Sequence, residues 1–313
     1  MTTNRVCKLV KRPKPGLVTR DVFEFADEPM ALPGPNQFRI KIEFISLDPA
    51  MRGWMNEGKS YVAPVPLGSV MRAYAAGHVD ASNHPDFKVG DAVQGVIGVQ
   101  QYALSDGKGI VKVDTSLAPL ERWTGGLGMP GWTAYFGLLD ICRPQRGETV
   151  VVSGAAGAVG MLVGQIAKIH GCRVVGVTRS EAKTAWLVDE LGLDAAFNAD
   201  DDATILDQRL EELCPDGIDV YFDTVGGALT DAVMHRLNST ARTCACGQIS
   251  QGNLVAYVDR FEEGLEQLTR WLERGQIKYR EEIARGLEAA PQAFIGMLLG
   301  KNEGKQLVQL SDR

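Results

Sequence analysis

The sequence predicts an α/β protein with two domains, one a doubly wound parallel sheet and the other a β-rich, barrel-like fold. A chain of 313 residues fits about two domains of roughly 150 residues each. Short strands punctuated by proline and glycine fill the first third, and strands alternate with helices from Thr149 onwards. We expect the β-rich domain to comprise residues 1–122 and 276–313, and the doubly wound domain to comprise residues 123–275.

The first third of the chain has the pattern of half-buried strands. Phe38–Ile45 alternates apolar and polar side chains with a period of two. Turn residues bound such segments, as at Pro33–Pro35 and at Val89–Asp91, which precedes the apolar run Ala92–Ile97. Short strands joined by turns favour a barrel or a sandwich.

The middle of the chain repeats a strand followed by a helix. We predict strands at 149–153, 173–178, 196–197, 218–223 and 241–246, with helices at 157–170, 180–191, 203–213 and 228–237. This alternation is typical of a parallel sheet covered by helices on both faces. A helix at 260–274, a strand pattern at 277–283, a helical pattern at 287–299 and a strand at 306–310 then return the chain to the first domain.

The composition is that of an ordinary globular protein, with 45% apolar residues, 23% charged residues and a net charge of −6. No stretch approaches the ~18 apolar residues of a membrane span, and the N-terminus has no apolar signal segment. The basic run Lys8–Lys14 is short and lacks aromatic residues, so we expect no nucleic-acid partner. Without a signal segment we expect a cytoplasmic protein. Six scattered cysteines and four histidines show no zinc-ligand spacing, so we expect reduced thiols and no metal, with a catalytic zinc built from residues distant in sequence as the alternative.

A glycine-rich loop joins the first strand of the doubly wound domain to its first helix. It matches the dinucleotide-binding fingerprint, with Ala155, Gly157 and Gly160 at the three key positions. Gly157 lets the backbone approach a pyrophosphate, and Gly160 permits close packing of helix on strand. Amides at the helix N-terminus, around Ala158 and Val159, face the anion. The alternative interpretation is that the glycine loop is only a tight turn between strand and helix and binds no cofactor.

Residues after the second strand of this domain indicate NADP rather than NAD. An NAD site has an Asp or Glu about 20 residues after the glycines, bonded to the adenosine ribose. Here Thr178, Arg179, Ser180 and Lys183 bring two hydroxyls and two cations to the place where a 2′-phosphate would lie. Solvent-exposed basic residues are the alternative interpretation, and Glu181 is a candidate ribose ligand if the cofactor is NAD.

Two further loops follow strands of the same predicted sheet. Asp223–Gly227 follows the strand at 218–223, and Cys246–Ser250 follows the strand at 241–246. Doubly wound sheets bind ligands at the carboxyl ends of their strands. We therefore expect Asp223, Val225, Cys246 and Gly247 to line the cofactor crevice, and glycine turns without function are the alternative.

Eight further motifs lie along nearly the whole chain: Ser46–Gly53, Lys59–Tyr61, Pro66–Gly68, His84–Phe87, Gly128–Gly137, Asp219–Asp223, Cys246–Gln251 and Asn302–Lys305. With these motifs the chain resembles the zinc-free branch of the medium-chain dehydrogenase/reductase superfamily, which contains prostaglandin reductases, plant alkenal double-bond reductases and bacterial curcumin reductases. The resemblance implies a GroES-like catalytic domain built from both chain ends around a Rossmann domain, and a homodimer.

The resemblance also implies an activity. Such enzymes use NADPH, without zinc, to reduce the carbon–carbon double bond of an α,β-unsaturated aldehyde or ketone by hydride transfer to the β-carbon. By resemblance, Met129 and Thr133 flank the nicotinamide, Arg179, Lys183 and Asn198 reach the 2′-phosphate, and Asn302 holds the cofactor. Two alternatives stay open, an NADPH quinone oxidoreductase and a non-catalytic NADPH-binding protein.

Three features depart from the family pattern. Ala50 stands where the family usually has a tyrosine of the substrate pocket, and Ala199 replaces a second tyrosine after Asn198. After Gln251 the chain continues directly with Gly252, whereas the family has a long segment that carries the tyrosine credited with holding the enolate. Tyr61 then becomes the candidate catalytic oxyanion donor, beside Ala50 in the substrate pocket.

Two explanations fit the missing segment. Either the natural protein carries residues here that the 313-residue chain does not contain, or the protein truly lacks them. We favour the first, because residues on both sides match the family and mobile loops over ligand sites are common. An intact mass of 33.9 kDa for the natural protein would contradict it.

Overall fold

Segments from both ends of the chain build a β-rich unit, and the residues between them build a second unit. In the computed structural model, which describes residues 3–16, 18–58, 62–199, 203–246 and 260–310, the first unit spans 1–125 and 281–313 and the second spans 126–280. Each unit has its own sheet and its own hydrophobic core.

The β-rich unit contains an antiparallel ribbon and a larger sheet. Its strands are β1 (Thr3–Leu9), β2 (Phe23–Pro29), β3 (Phe38–Ser46), β4 (Tyr74–Ser82), β5 (Ala92–Val96), β6 (Tyr102–Ser105), β7 (Ile110–Lys112), β13 (Glu281–Arg285) and β14 (Lys305–Gln309). Strands β1 and β2 pair with each other, and the larger sheet has the order β13-β14-β3-β4-β5-β7, with β6 also paired to β3. Its α-helices are α1 (Ala50–Trp54), α2 (Leu120–Trp123) and α9 (Ala290–Leu298). Short 3-10 turns cover Arg20–Val22 and Leu287–Ala289.

Strand β3 lies at the centre of this sheet and has the predicted alternation. Phe38, Ile40 and Ile42 are at most 1% exposed and pack in the main core of the unit. Phe44 packs on the other face, in a smaller cluster that includes Leu120 of α2. The strand is therefore buried on both faces near its end, and this is the end that leads to α1.

The second unit is a parallel sheet flanked by helices. Its strands are β8 (Thr149–Val152), β9 (Arg173–Thr178), β10 (Ala195–Asn198), β11 (Ile218–Asp223) and β12 (Leu237–Ala245), in the order β10-β9-β8-β11-β12. Its helices are α3 (Met129–Phe136), α4 (Gly160–Ile169), α5 (Glu181–Asp189), α6 (Ala203–Leu213), α7 (Ala228–Met234) and α8 (Phe261–Glu273). A π-helical stretch, Gly137–Cys142, directly follows α3. The central strand β8 is fully buried, as expected for a strand covered on both faces.

The predicted fold class is confirmed, but several element boundaries are wrong. The helix predicted from residue 157 begins at Gly160. The strand pattern at 277–283 is displaced from β13, because Ile277 and Tyr279 are buried without belonging to a strand. The largest differences lie between α7 and β12. The sequence pattern extends the helix at 228 to Leu237 and starts the last strand at Ala241, whereas α7 ends at Met234 and β12 begins at Leu237. The cause is the position of β12 at the sheet edge, where Asn238–Thr240 is partly exposed and polar and has no apolar alternation. Within the described residues, no helix has the length and apolarity needed to cross a membrane.

Candidate functional site

The loop between β8 and α4 is tightly folded around its glycines. Gly154 has a φ of +57°, a left-handed conformation that favours glycine. The Gly157 amide donates to the Gly154 carbonyl at 2.8 Å, and the Ala155 amide donates to Val177 of β9 at 3.0 Å. A Cβ on Gly160 would lie 2.4 Å from the Gly154 oxygen, so a side chain has no room there.

These features fit the pyrophosphate of a dinucleotide. Ala155, at the first position of the fingerprint, is fully buried and lies against Gly176 of β9, so its methyl group fills space between strands. Ala158 and Val159 directly precede α4, whose ten residues present a helix N-terminus at the carboxyl end of β8. Backbone amides and the helix dipole make this a suitable anion site.

The predicted 2′-phosphate residues lie at the ends of two neighbouring strands. Thr178 ends β9 and Asn198 ends β10, and the two are directly paired in register. The Arg179 side chain is exposed at the start of the following loop, and Lys183 is buried on α5, 8% exposed. Two cations and two polar residues therefore stand at or just after the carboxyl ends of β9 and β10 in the chain, and this set of residue types suits a phosphate dianion.

Asp223 organises the loop that follows β11. Its carboxylate accepts five hydrogen bonds of 2.8–3.1 Å, from the amides of Val225 and Gly226 and the hydroxyls of Ser153, Tyr221 and Thr230. Burial acts to raise the pKa of Asp223, but these hydrogen bonds outweigh it and lower the pKa below its ordinary value. Val225 is left 54% exposed on the surface of this loop.

Ser153 and Thr224 join this loop to the glycine loop. The Thr224 hydroxyl donates to the Ser153 carbonyl, and the Thr224 amide donates to the Ser153 hydroxyl, both at 2.7 Å. Sequence reasoning missed these two residues. The signal that could have found them is a hydroxyl side chain at or just after the carboxyl end of each of two central strands, because such ends are adjacent in a parallel sheet.

Helix α3 carries two more predicted cofactor residues. Met129 is its first residue, and the Thr133 hydroxyl donates to the Met129 carbonyl at 2.7 Å. Thr133 is 8% exposed. Gly131 allows close packing here, because a Cβ at this position would lie 1.9 Å from the Gly126 carbonyl oxygen.

The remaining candidates are distributed over both units. Cys246 follows β12 and is half-buried, and burial raises the pKa of its thiol to about 12, so the thiol is protonated at neutral pH. Ala50 is the first residue of α1. The side-chain amide of Asn302 donates to the Gly304 carbonyl at 2.8 Å. Tyr61 and Gly247, like the junction after Gln251, lie outside the described residues. Within the part of the chain that the structure describes, no group of three or more His, Cys, Asp or Glu residues is arranged to hold a metal ion.

Two protein-family models match the chain. Residues 5–113 match the N-terminal domain of oxidoreductase, and residues 158–269 match zinc-binding dehydrogenase. The chain is 44% identical to the putative NADP-dependent oxidoreductase YfmJ of Bacillus subtilis, over 97% of each protein. It is 40% identical to the NADPH-dependent curcumin reductase of Escherichia coli, over 98% of this chain and 97% of that protein. It is 38% identical to a 2-alkenal reductase (NADP(+)-dependent) of Nicotiana tabacum, over 89% of this chain and 88% of that protein.

Solved structures of CurA from Vibrio vulnificus are similar throughout. One is 40% identical to this chain, with a TM-score of 0.90 over 99% of both chains. The structure of the NADPH complex is 38% identical, with a TM-score of 0.89 over 99% of this chain and 100% of that chain. The alignment with the Bacillus protein spans 336 positions but uses 97% of this 313-residue chain, about 304 residues. About 32 positions of that relative thus have no counterpart here.

Proposed function

The chain belongs to the zinc-independent branch of the medium-chain dehydrogenase/reductase superfamily and is an NADP-dependent oxidoreductase, and from this premise we propose that it reduces the carbon–carbon double bond of α,β-unsaturated aldehydes and ketones. The observation that carries the proposal is the 40% identity to a curcumin reductase over 98% of the chain. The 2-alkenal reductase adds support, since its name denotes the same bond in a smaller substrate.

We assign the cofactor site to the residues described above. Ala155, Gly157, Ala158, Val159 and Gly160 hold the pyrophosphate by their backbone. The 2′-phosphate is held by Thr178, Arg179, Lys183 and Asn198. Met129, Thr133, Asp223, Val225, Cys246, Gly247 and Asn302 complete the site. Asp223 acts by holding its loop in shape, because its oxygens are occupied by hydrogen bonds within the protein.

NADPH held by these residues would supply a hydride for the β-carbon of the substrate. The protein must then stabilise the negative charge on the enolate oxygen and allow a proton to reach the α-carbon, which yields the saturated carbonyl compound. A hydrogen-bond donor aimed at that oxygen is the main catalytic contribution. We assign this role to Tyr61, and we assign Ala50 to the wall of the substrate pocket.

The test is a substrate panel followed by absorbance of the reduced cofactor, with products identified by mass spectrometry. We expect NADPH oxidation with 2-alkenals and with aryl enones such as curcumin, and a product that has gained two hydrogens and kept its carbonyl group. NADH should support little turnover. Oxidation of NADPH by quinones alone, or binding of NADPH without turnover of any acceptor, would contradict the proposal.

We also propose a cytoplasmic homodimer. Strand β12 is nine residues long and lies at the edge of the parallel sheet, where its backbone can pair with a second copy. The six cysteines are free thiols, as is usual in a reducing compartment. Light scattering of the purified protein should give twice the mass of one chain, as measured on the denatured protein, and a monomer at all concentrations would contradict the assignment.

A further inference from the structure

Lys305 is a lysine buried in the β-rich unit, with 1% of its surface exposed. It is the first residue of β14, and its ammonium donates to the Leu47 carbonyl at 2.8 Å and to the Asp48 carboxylate at 2.6 Å. Removing an ammonium from water has a large free-energy cost, and an ion pair with good geometry roughly offsets this cost. Apolar residues would stabilise the same position equally well, so stability alone does not explain a lysine here.

Asp48 in turn shapes the start of α1. One carboxylate oxygen accepts the hydrogen bond from Lys305, and the other accepts one from the Ser46 hydroxyl. The Asp48 carbonyl accepts the Met51 amide at 3.0 Å, which closes the turn around Ala50. The ion pair therefore fixes the turn that carries the proposed pocket residue.

The other end of the ion pair is attached to the turn that holds Asn302. The Asn302 amide group donates to the carbonyl of Gly304, the residue directly before Lys305. The Leu47 amide donates to the Gln306 carbonyl at 3.1 Å, so the strand after Lys305 and the strand end before Asp48 are also joined through the backbone. Two turns that lie more than 250 residues apart in sequence thus meet at one buried contact.

A second carboxylate flanks Lys305. Glu281 of β13 is its direct partner in the sheet register, has an 8% exposed side chain, and forms an ion pair with Arg122 at 3.1 Å. Burial raises the pKa of Glu281 to about 7, and Arg122 limits the rise. Glu281 is therefore partly protonated near neutral pH, which leaves Asp48 as the main counterion of Lys305.

We propose that Lys305 and Asp48 are positioning residues, whose buried ion pair holds the Ala50 turn and the Asn302 turn in the arrangement that substrate and cofactor binding require. The inference rests on the proposed function, in which Ala50 contacts the substrate and Asn302 contacts NADPH. Misplacement of such contacts by about 1 Å is enough to reduce catalysis strongly.

The experiment compares Lys305→Met with Arg39→Met. Arg39 forms a two-pronged ion pair with Asp80 in the same sheet, has a 13% exposed side chain, and lies at the opposite end of β3 from Asp48. Both substitutions should lower the melting temperature of the protein.

Only Lys305→Met should raise the NADPH Kd, measured by tryptophan fluorescence, and the enone KM, each by about tenfold. Asp48→Asn keeps the hydrogen-bonding shape without the charge and should show about threefold changes.

The outcomes separate a positioning role from a structural one. Equal losses of melting temperature with unchanged Kd and KM in Lys305→Met would overturn the proposal, as would changes of similar size in Arg39→Met. If Lys305→Met does not fold, Asp48→Asn decides by the same two constants. If the wild-type protein reduces no enone, the proposed function fails. The NADPH Kd still tests the Asn302 side, where an unchanged value would overturn the positioning role and a raised one would support it.

Discussion

Replacement of Arg179 by alanine is expected to raise the NADPH KM about 30-fold, which corresponds to about 2 kcal/mol for one charge-assisted phosphate contact. The KM for NADH should change by less than about twofold, because NADH has no 2′-phosphate. Arg179 directly follows Thr178, which ends β9 and pairs in register with Asn198 at the end of the neighbouring strand. Steady-state kinetics with both cofactors measures the two effects.

Arg173→Ala is the matched control for this prediction. Arg173 lies at the opposite end of the same strand, where its guanidinium donates to the Leu213 carbonyl at 2.9 Å. Its loss removes one positive charge from the same unit, so it reports any long-range electrostatic effect on the anionic cofactor. Equal increases of KM in the two variants would show that Arg179 acts only through net charge.

Replacement of Gly160 by alanine should nearly abolish cofactor binding and lower the free energy of unfolding by about 3 kcal/mol. The new Cβ would lie 2.4 Å from the Gly154 oxygen and 2.8 Å from the Ala155 Cα. Both are backbone atoms, so the loop itself must move. We expect the NADPH Kd to rise by at least about 50-fold, because the same backbone forms the anion site. Fluorescence titration and urea denaturation measure the two effects.

Gly164→Ala is the control within the same helix. The atoms nearest to a Cβ at Gly164 would be those of the Leu193 side chain, at 3.2 Å and beyond, and that side chain can adjust. Alanine also favours the helical conformation over glycine by about 1 kcal/mol. The free energy of unfolding of Gly164→Ala should thus differ from that of the wild-type protein by less than about 1 kcal/mol, and the NADPH Kd should be unchanged. A Kd for Gly160→Ala as low as that for Gly164→Ala would contradict the role of the glycine loop.

Local sequence patterns were sufficient to predict the fold and much of the candidate site. Period-two alternation identified β3, and strands followed by helices identified the parallel sheet. The glycine loop and the residues after β9 could be found because each is a continuous segment at the end of a strand. Such segments converge in any parallel sheet, whatever its detailed packing.

Contacts between distant segments could not be predicted in this way. Lys305 and Asp48 are 257 residues apart, and a lysine at the start of a strand has the pattern of an ordinary exposed end. Ser153 and Asp223 are 70 residues apart, and their hydrogen bond depends on β8 and β11 being neighbours. The polar residues at the start of β12 also lack the alternation of apolar and polar side chains that identifies a strand. This strand lies at the sheet edge, where it has a neighbouring strand on one side only and packing constrains its side chains less.

The β-rich unit has a consequence for synthesis on the ribosome, because its last two strands are the last to be made. Residues 44–46 of β3 pair on one edge with residues 307–309 of β14. All other pairing of β3 is with β4 and β6, which are encoded before residue 106. At roughly 5–20 residues per second, the partner of this strand end is translated some tens of seconds later. During that interval the inserted parallel unit can complete its own sheet, while the first strands must wait with one edge open. Synthesis of residues 281–309, rather than emergence of the first 125 residues, therefore sets when the β-rich unit can close.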